Sequence, residues 1–337
     1  MVGTTSVKHG LHAWAGDDDG DGRRAVHPMS YKSSSQSEMR RWNNQRGITL
    51  WCDYGPIVTL PVAVLVLTPA ALPRWAFMWM LAGAIFVGCK WLTWRQTPVE
   101  GVPWWCHIGY LCFWPGMDAP TFLRSPSVQT HLRPPIYEWA VAFTKCILGG
   151  ILFWFVPRFV LPEQVIVFGW VGMVGLVLML HFGLFHVLSC AWRTVGVEAR
   201  PLMDRPLTSS SVREFWGRRW NTAFRDLTHR FIFRPLNARL GPRWALLVGF
   251  LISGLIHEAV ISVPAHGGYG LPTLFFLLQA GAISIERSRF GKRLGLGRGW
   301  RGWTFTMLVL MLPVYGLFHP PFVTRIIVPF MRAVGVQ

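Results

Sequence analysis

Long apolar stretches recur from about residue 48 to the C-terminus, and short polar or basic stretches separate them. A membrane-spanning helix needs about 20 predominantly apolar residues. Stretches near this length predict spanning helices at residues 55–72, 75–94, 136–157, 163–191, 242–263, 271–286 and 302–319. Two shorter stretches, 102–117 and 322–334, contain or adjoin proline and predict re-entrant or interfacial helices.

The composition agrees with a membrane protein. Hydrophobic residues make up 52% of the 337 residues, and charged residues make up 15%, against roughly 25% in a soluble domain. The predicted fold class is an all-α polytopic membrane protein with about seven to nine transmembrane helices. We expect a disordered polar cytoplasmic tail at residues 1–46 and one transmembrane domain at residues 47–337.

The basic residues predict which side of the membrane each loop faces. The chain carries a net charge of +17, and 24 of its 33 Lys and Arg residues lie in residues 1–46, 192–243 and 286–301. Because cytoplasmic loops are enriched in Lys and Arg, these three regions are predicted to be cytoplasmic, in a cell (inner) membrane if the source is bacterial. Basic residues between spans do not indicate nucleic-acid binding. The uncharged turn at residues 264–270 is predicted to be exoplasmic.

One predicted span contains two ionisable residues. His257 and Glu258 follow Arg243 by 14 and 15 residues, which places them about 21 Å or more along the helix. Titratable groups at such depth are costly and usually mark a functional cavity. Adjacent side chains leave a helix in different directions, so Glu258 is predicted to support His257, either by pairing with a base such as Lys145 or by accepting a helix hydrogen bond.

Earlier in the chain, the basic loop contains another motif at residues 214–221, here the first motif, where aromatic and basic residues alternate. An interfacial amphipathic helix with an aromatic belt explains most of this pattern. It does not explain the amide of Asn221.

The string FWGRRWN at Phe215 to Asn221, followed by SGLIHE at Ser253 to Glu258, resembles the paired signature of the wax-synthase branch of the membrane-bound O-acyltransferase family. The resemblance covers roughly Trp104 to Pro321. It implies an intramembrane reaction chamber in which Asn221 and His257 are catalytic. It also implies that a fatty acyl group moves from acyl-CoA to the hydroxyl of a long-chain or other lipid alcohol.

The chemistry of these residues fits such a transfer. A neutral imidazole at His257 can accept the proton of an attacking alcohol, and the amide of Asn221 can stabilise the oxyanion. The predicted substrate-binding residues are Trp216, Arg218, Arg219, Trp220 and Glu258, the two arginines being candidates for the CoA phosphates. The six cysteines form no CxxC pair, so neither a metal site nor a cofactor beyond the acyl-CoA co-substrate is predicted.

A lipid or anion transporter is the alternative function. In that case the buried His257 and Glu258 would form a proton relay. Asn221 discriminates between the two functions, because a transporter has no need of the loop motif.

Deletion of residues 1–40 is expected to leave acyl transfer within tenfold of the full-length rate, because this stretch lacks apolar content and lies outside the resemblance. The measurement is ester formation in membranes that contain equal amounts of the two proteins. A larger loss in a well-expressed truncation contradicts the assignment of the tail.

Overall fold

The computed structural model describes residues 50–124 and 133–336, so the predicted tail at residues 1–46 lies outside the described residues. The described elements are all helical. In chain order they are α1 Leu50–Leu67, α2 Arg74–Arg95, α3 Trp104–Ile108, α4 Ala119–Phe122, α5 Ile136–Phe159, α6 Val165–Thr194, α7 Val212–Glu214, α8 at residues 222–240, α9 at residues 242–265, α10 Leu271–Arg287, α11 Arg289–Arg293, α12 Gly299–Leu317 and α13 Pro320–Ala333.

Each predicted span overlaps one of these helices. Among the described residues, α2, α5, α6 and the stretch Thr222–Ala265 are long and apolar enough to cross a membrane. A fifth crossing is formed if α12 and α13, which meet at a bend of 58°, act as one span. Large apolar side chains point outward, with Val66 73% and Ile147 62% exposed, as lipid contact requires. The chain is a multi-pass integral membrane protein.

The stretch predicted at residues 102–117 is too short to span. Helix α3 continues as a π-helical turn through Phe113, and the backbone at Trp114 is then extended. These ten helical residues rise about 15 Å, half the hydrocarbon thickness. A side chain of α2 holds the turn that follows, because the buried Lys90 donates a 2.7 Å hydrogen bond to the carbonyl of Gly116.

The span predicted to begin at residue 242 does begin there. Gly241 has φ 80° and ψ 169°, outside the helical region, and separates α8 from α9. Pro242 follows as the first residue of α9, where its missing N–H costs no helical hydrogen bond. The Gly-Pro pair therefore separates the basic stretch from the apolar span.

Helices α9 and α10 form a closely packed hairpin. A Cβ atom added to Gly254 would lie 2.8 Å from the Cα atom of Thr273, so only glycine allows this approach. The end of α10 leads into the basic region at residues 286–301. This region contacts the other basic loop directly at Glu286, whose carboxylate accepts a 2.6 Å hydrogen bond from the backbone N–H of Val212. Just beyond the region, the indole nitrogen of Trp303 donates a 2.8 Å hydrogen bond to the carbonyl of Leu207.

Gly254→Ala is expected to destabilise the protein by about 1–3 kcal/mol, because α9 and α10 must move apart. Gly249→Ala is the matched control five residues earlier in the same helix, since a Cβ atom there meets nothing within 4 Å. Thermal unfolding in detergent measures both. Equal melting temperatures for the two variants would show that the approach at Gly254 is not a constraint.

Cysteine labelling tests the predicted sidedness. In a chain whose native cysteines are replaced by alanine, Tyr269→Cys in the α9–α10 turn should react with an impermeant maleimide in intact cells. Leu207→Cys in the basic loop should react only after permeabilisation. Both positions are more than 60% exposed, so accessibility reports the side of the membrane. The reverse pattern contradicts the topology drawn from the Lys and Arg distribution.

Candidate active site

The imidazole of His257 is held in one tautomer by its own helix. Its Nδ1 atom lies 2.7 Å from the carbonyl oxygen of Ser253, one turn earlier. A carbonyl can only accept, so Nδ1 carries the proton and donates it. In the neutral ring, Nε2 is then the unprotonated nitrogen, and no hydrogen bond to it is found in the described part of the chain. His257 therefore presents a proton acceptor.

An aromatic wall joins His257 to the first motif. The ring of Phe276, on α10, lies 4.4 Å from the His257 ring and 5.6 Å from the Trp216 ring, between centroids. Trp216 meets Phe215 edge to face at 5.1 Å, and Phe215 stacks on Trp220 at 5.4 Å. The two motifs, whose residues Asn221 and His257 are 36 apart in sequence, thus share one apolar surface.

Helix α10 fixes the first motif through polar side chains as well. Gln279 accepts a hydrogen bond of 3.3 Å from the indole nitrogen of Trp216. Glu286, two turns further on, accepts bonds from the backbone N–H groups of Val212 (2.6 Å) and Arg213 (3.4 Å). These N–H groups begin helix α7 and have no partner within it. The side chains of α10 therefore fix the position of the first motif and of helix α7, which leads into it.

Asn221 occupies a strained backbone position. Its φ of 43° and ψ of 63° lie in the left-handed region, which asparagine tolerates better than most residues. The Oδ1 atom accepts a 3.3 Å hydrogen bond from the backbone N–H of Phe224 and so caps the helix that follows. Among the described residues, the Nδ2 amide protons have no protein acceptor, and no hydrogen bond joins Asn221 with His257.

Glu258 caps α10 and does not pair with Lys145. Its carboxylate accepts hydrogen bonds from the backbone N–H of Gly270 (2.8 Å), the backbone N–H of Thr273 (3.4 Å) and the Thr273 hydroxyl (3.0 Å). Lys145 instead lies 3.3 Å from Nδ1 of His186. Of the two roles predicted for Glu258, the structure shows the acceptance of helix hydrogen bonds. The backbone N–H groups at the N-terminus of α10 lack partners within that helix and lie beside the α9–α10 turn.

The two motif arginines have different surroundings. Arg219 lies 2.7 Å from the carboxylate of Glu214 and donates a 2.9 Å bond to the hydroxyl of Thr208. Partial burial raises the pKa of Glu214, but hydrogen bonds from Ser210 and Arg219 bring it below the usual value, so the pair stays charged. Arg219 is thus occupied within the protein. Arg218 is exposed and has no ion pair in the described structure.

Three polar residues of the structure were not singled out from the sequence. They are Lys90, which anchors the turn after α3, and Gln279 and Glu286, which hold motif one. The available signal was polarity within predicted spans, since such residues usually face a protein interior. The seven-residue spacing of Gln279 and Glu286 also places them on one helix face.

A cluster of Glu138, His186 and Cys190 has donor atoms within 4.8 Å of one another. Cations already occupy it: Arg193 donates to both Glu138 and Cys190, and Lys145 contacts His186. We interpret it as an ion-pair network between α5 and α6, because a metal ion would have to displace both bases.

Residues 199–278 match the Membrane bound O-acyl transferase family, and this range contains both motifs. Probable long-chain-alcohol O-fatty-acyltransferase 1 of Arabidopsis thaliana is 28% identical over 175 residues, which cover 48% of this chain and 50% of that protein. Long-chain-alcohol O-fatty-acyltransferase of Simmondsia chinensis is 37% identical over 73 residues, 19% of this chain and 21% of the relative.

Acyl-CoA--sterol O-acyltransferase 1 of Arabidopsis thaliana is 24% identical over 159 residues, 42% of this chain and 46% of the relative. The chain thus spans about half the length, or less, of the curated relatives it matches. These matches confirm the resemblance that the two motifs predicted, to the membrane-bound O-acyltransferase family and its wax-synthase-like branch.

Proposed function

We propose that this protein transfers a fatty acyl group from acyl-CoA to the hydroxyl of a long-chain or other lipid alcohol and forms an ester. The observation that carries the proposal is the fixed tautomer of His257, which leaves Nε2 as a proton acceptor on an aromatic wall shared with the first motif. Relatives of the chain bear the names of alcohol and sterol O-acyltransferases, which supports the same reaction.

The proposed reaction begins when Nε2 of His257 takes the hydroxyl proton as the alcohol oxygen attacks the thioester carbonyl. The oxygen–carbon bond forms, and the carbonyl oxygen becomes an oxyanion. The free Nδ2 protons of Asn221 stabilise this charge. The carbon–sulfur bond then breaks, and the leaving thiolate receives the proton from Nε2. Ester and free CoA are the products, and His257 returns to its neutral form.

In this proposal the remaining predicted residues hold substrate or structure. Trp216 and Trp220 present apolar surface to the acyl chain, and Arg218 is available to a phosphate group. Glu258 acts indirectly by fixing α10, which carries Phe276 against His257. The same three hydrogen bonds weigh against a proton relay, because both oxygens of Glu258 are already engaged.

The proposal includes the finer architecture predicted from the sequence. Residues 47–337 form one transmembrane domain with about seven full crossings, and the shorter helices line a chamber around His257. Residues 192–243 and 286–301 face the cytoplasm, where acyl-CoA is available. Their mutual contact through Glu286 and Val212 supports a common side.

His257→Ala is expected to reduce ester formation by about 10²–10⁴, because base catalysis typically contributes that factor. Glu258→Gln should lose less, since an amide oxygen can still accept from the start of α10. Radiolabelled acyl-CoA and a panel of alcohols, with products separated by chromatography, provide the assay. If His257→Ala kept more than a tenth of the rate at equal protein levels, the transfer mechanism would be wrong and the transporter favoured.

Asn221 needs a variant that separates its capping role from its amide. Asn221→Asp keeps the capping oxygen and tolerance of a positive φ but removes both amide protons. We expect a normal melting temperature and a rate lower by about 10²–10³, as for removal of one oxyanion donor. Asn221→Ala should lose activity and also about 1 kcal/mol of stability. Wild-type activity in Asn221→Asp would reduce Asn221 to a helix cap.

A further inference from the structure

The segment at residues 287–301, here the basic hairpin, is a strongly basic part of the chain beside the candidate site. It carries cations and no acidic residue: Arg287, Arg289, Lys292, Arg293, Arg298 and Arg301. All of these are exposed, and within the described ranges none forms an ion pair. Arg193 and Arg219, by contrast, are paired with carboxylates of the protein. The basic hairpin thus has positive charge that no acidic group of residues 50–124 or 133–336 neutralises through an ion pair.

The basic hairpin is attached to the first motif. It begins directly after Glu286, whose carboxylate holds the backbone N–H of Val212 at 2.6 Å. At its other end, Gly302 packs so closely that an added Cβ atom would lie 2.3 Å from the carbonyl oxygen of Ser210. Both ends of the basic hairpin are therefore held against the segment that leads to Trp216 and Asn221.

From these contacts we propose that the basic hairpin binds the 3′-phosphorylated ADP end of acyl-CoA, a proposal that rests on the function given above. Guanidinium and ammonium groups match the three phosphate groups of this moiety in charge and hydrogen bonding. Phe290 is 65% exposed and offers a face on which adenine can stack. Trp300 is 73% exposed, and the guanidinium of Arg301 lies over its ring at 5.6 Å from the centroid. The flexible pantetheine arm then leads from this surface toward His257.

The hydrogen bonds of Arg219 favour the basic hairpin, and not the first motif, as the main binding surface for the phosphate groups. Its guanidinium is hydrogen-bonded to Glu214, Thr208 and backbone carbonyls. Arg218 is therefore the motif's unpaired cation in the described structure. A moiety with three phosphate groups needs more than one cation. The basic hairpin supplies further unpaired cations, and the residues that flank it, Glu286 and Trp303, bind Val212 and Leu207 in the segment before the motif.

The test compares two acyl donors. Acyl-pantetheine carries the same thioester as acyl-CoA but lacks the phosphorylated nucleotide. Lys292→Gln/Arg293→Gln should raise KM for acyl-CoA by about three- to tenfold and leave KM for acyl-pantetheine unaffected. The matched control is Arg239→Gln/Arg243→Gln, which removes two exposed cations from the other basic loop. It should change neither KM. An equal rise for both donors, or an equal effect of the control, overturns the proposal.

Two further experiments complete the test. The first distinguishes CoA phosphates from lipid headgroups, and the second tests the binding surface independently of the proposed reaction. The increase in KM for acyl-CoA should persist in vesicles of phosphatidylcholine alone. If it occurs only in vesicles that contain anionic lipid, the surface binds lipid headgroups and the proposal is overturned. If the wild-type protein transfers no acyl group from either donor, the proposed function fails. Binding of adenosine 3′,5′-bisphosphate still tests the surface: the Lys292→Gln/Arg293→Gln variant should bind it about three- to tenfold more weakly than the control, and equal binding refutes the assignment.

Discussion

The packing of one face of α10 against both motifs is the constraint on which the site depends. Thr273, Phe276, Gln279 and Glu286 succeed one another along this face and contact, in order, Glu258, His257, Trp216 and the start of α7. Their spacing of three, three and seven residues keeps them aligned on a helix. Helix α10 contains neither motif, yet its contacts hold the first motif and the His257 motif of α9 in a fixed position relative to each other.

The polar contacts of α10 are stable because they satisfy groups that would otherwise be unpaired. Helix starts leave backbone N–H groups without partners, and an unsatisfied buried donor costs about 1–3 kcal/mol. Glu258 satisfies the start of α10, and Glu286 satisfies the start of α7. Each carboxylate therefore fixes a junction between two segments. A buried donor without a partner costs more than one in water, and this penalty applies to the buried Val212 N–H, whereas the Gly270 N–H is exposed.

The sequence predicted the elements of this fold better than their contacts. Apolar length located the helices, and the Gly241-Pro242 pair marked the start of α9 where the span was expected. The depth of His257 predicted a functional role, but the bond that fixes its tautomer follows from the four-residue helical repeat and needed the rotamer to be known. Gln279 and Glu286 were visible as polar residues in a span. Their partners lie 63 and 74 residues away, and no local pattern encodes that pairing.

The same limit explains why the two motif arginines could not be told apart from the sequence. Arg218 and Arg219 are adjacent, equally basic and equally suited to a phosphate. On a helical turn, however, neighbouring side chains point in different directions, so one meets Glu214 five residues earlier while the other faces outward. Once a carboxylate holds Arg219, its charge is largely neutralised locally and it contributes to the shape of the motif. The positive potential of this surface must then arise mainly from cations without such partners, which are Arg218 in the motif and the larger group at residues 287–301.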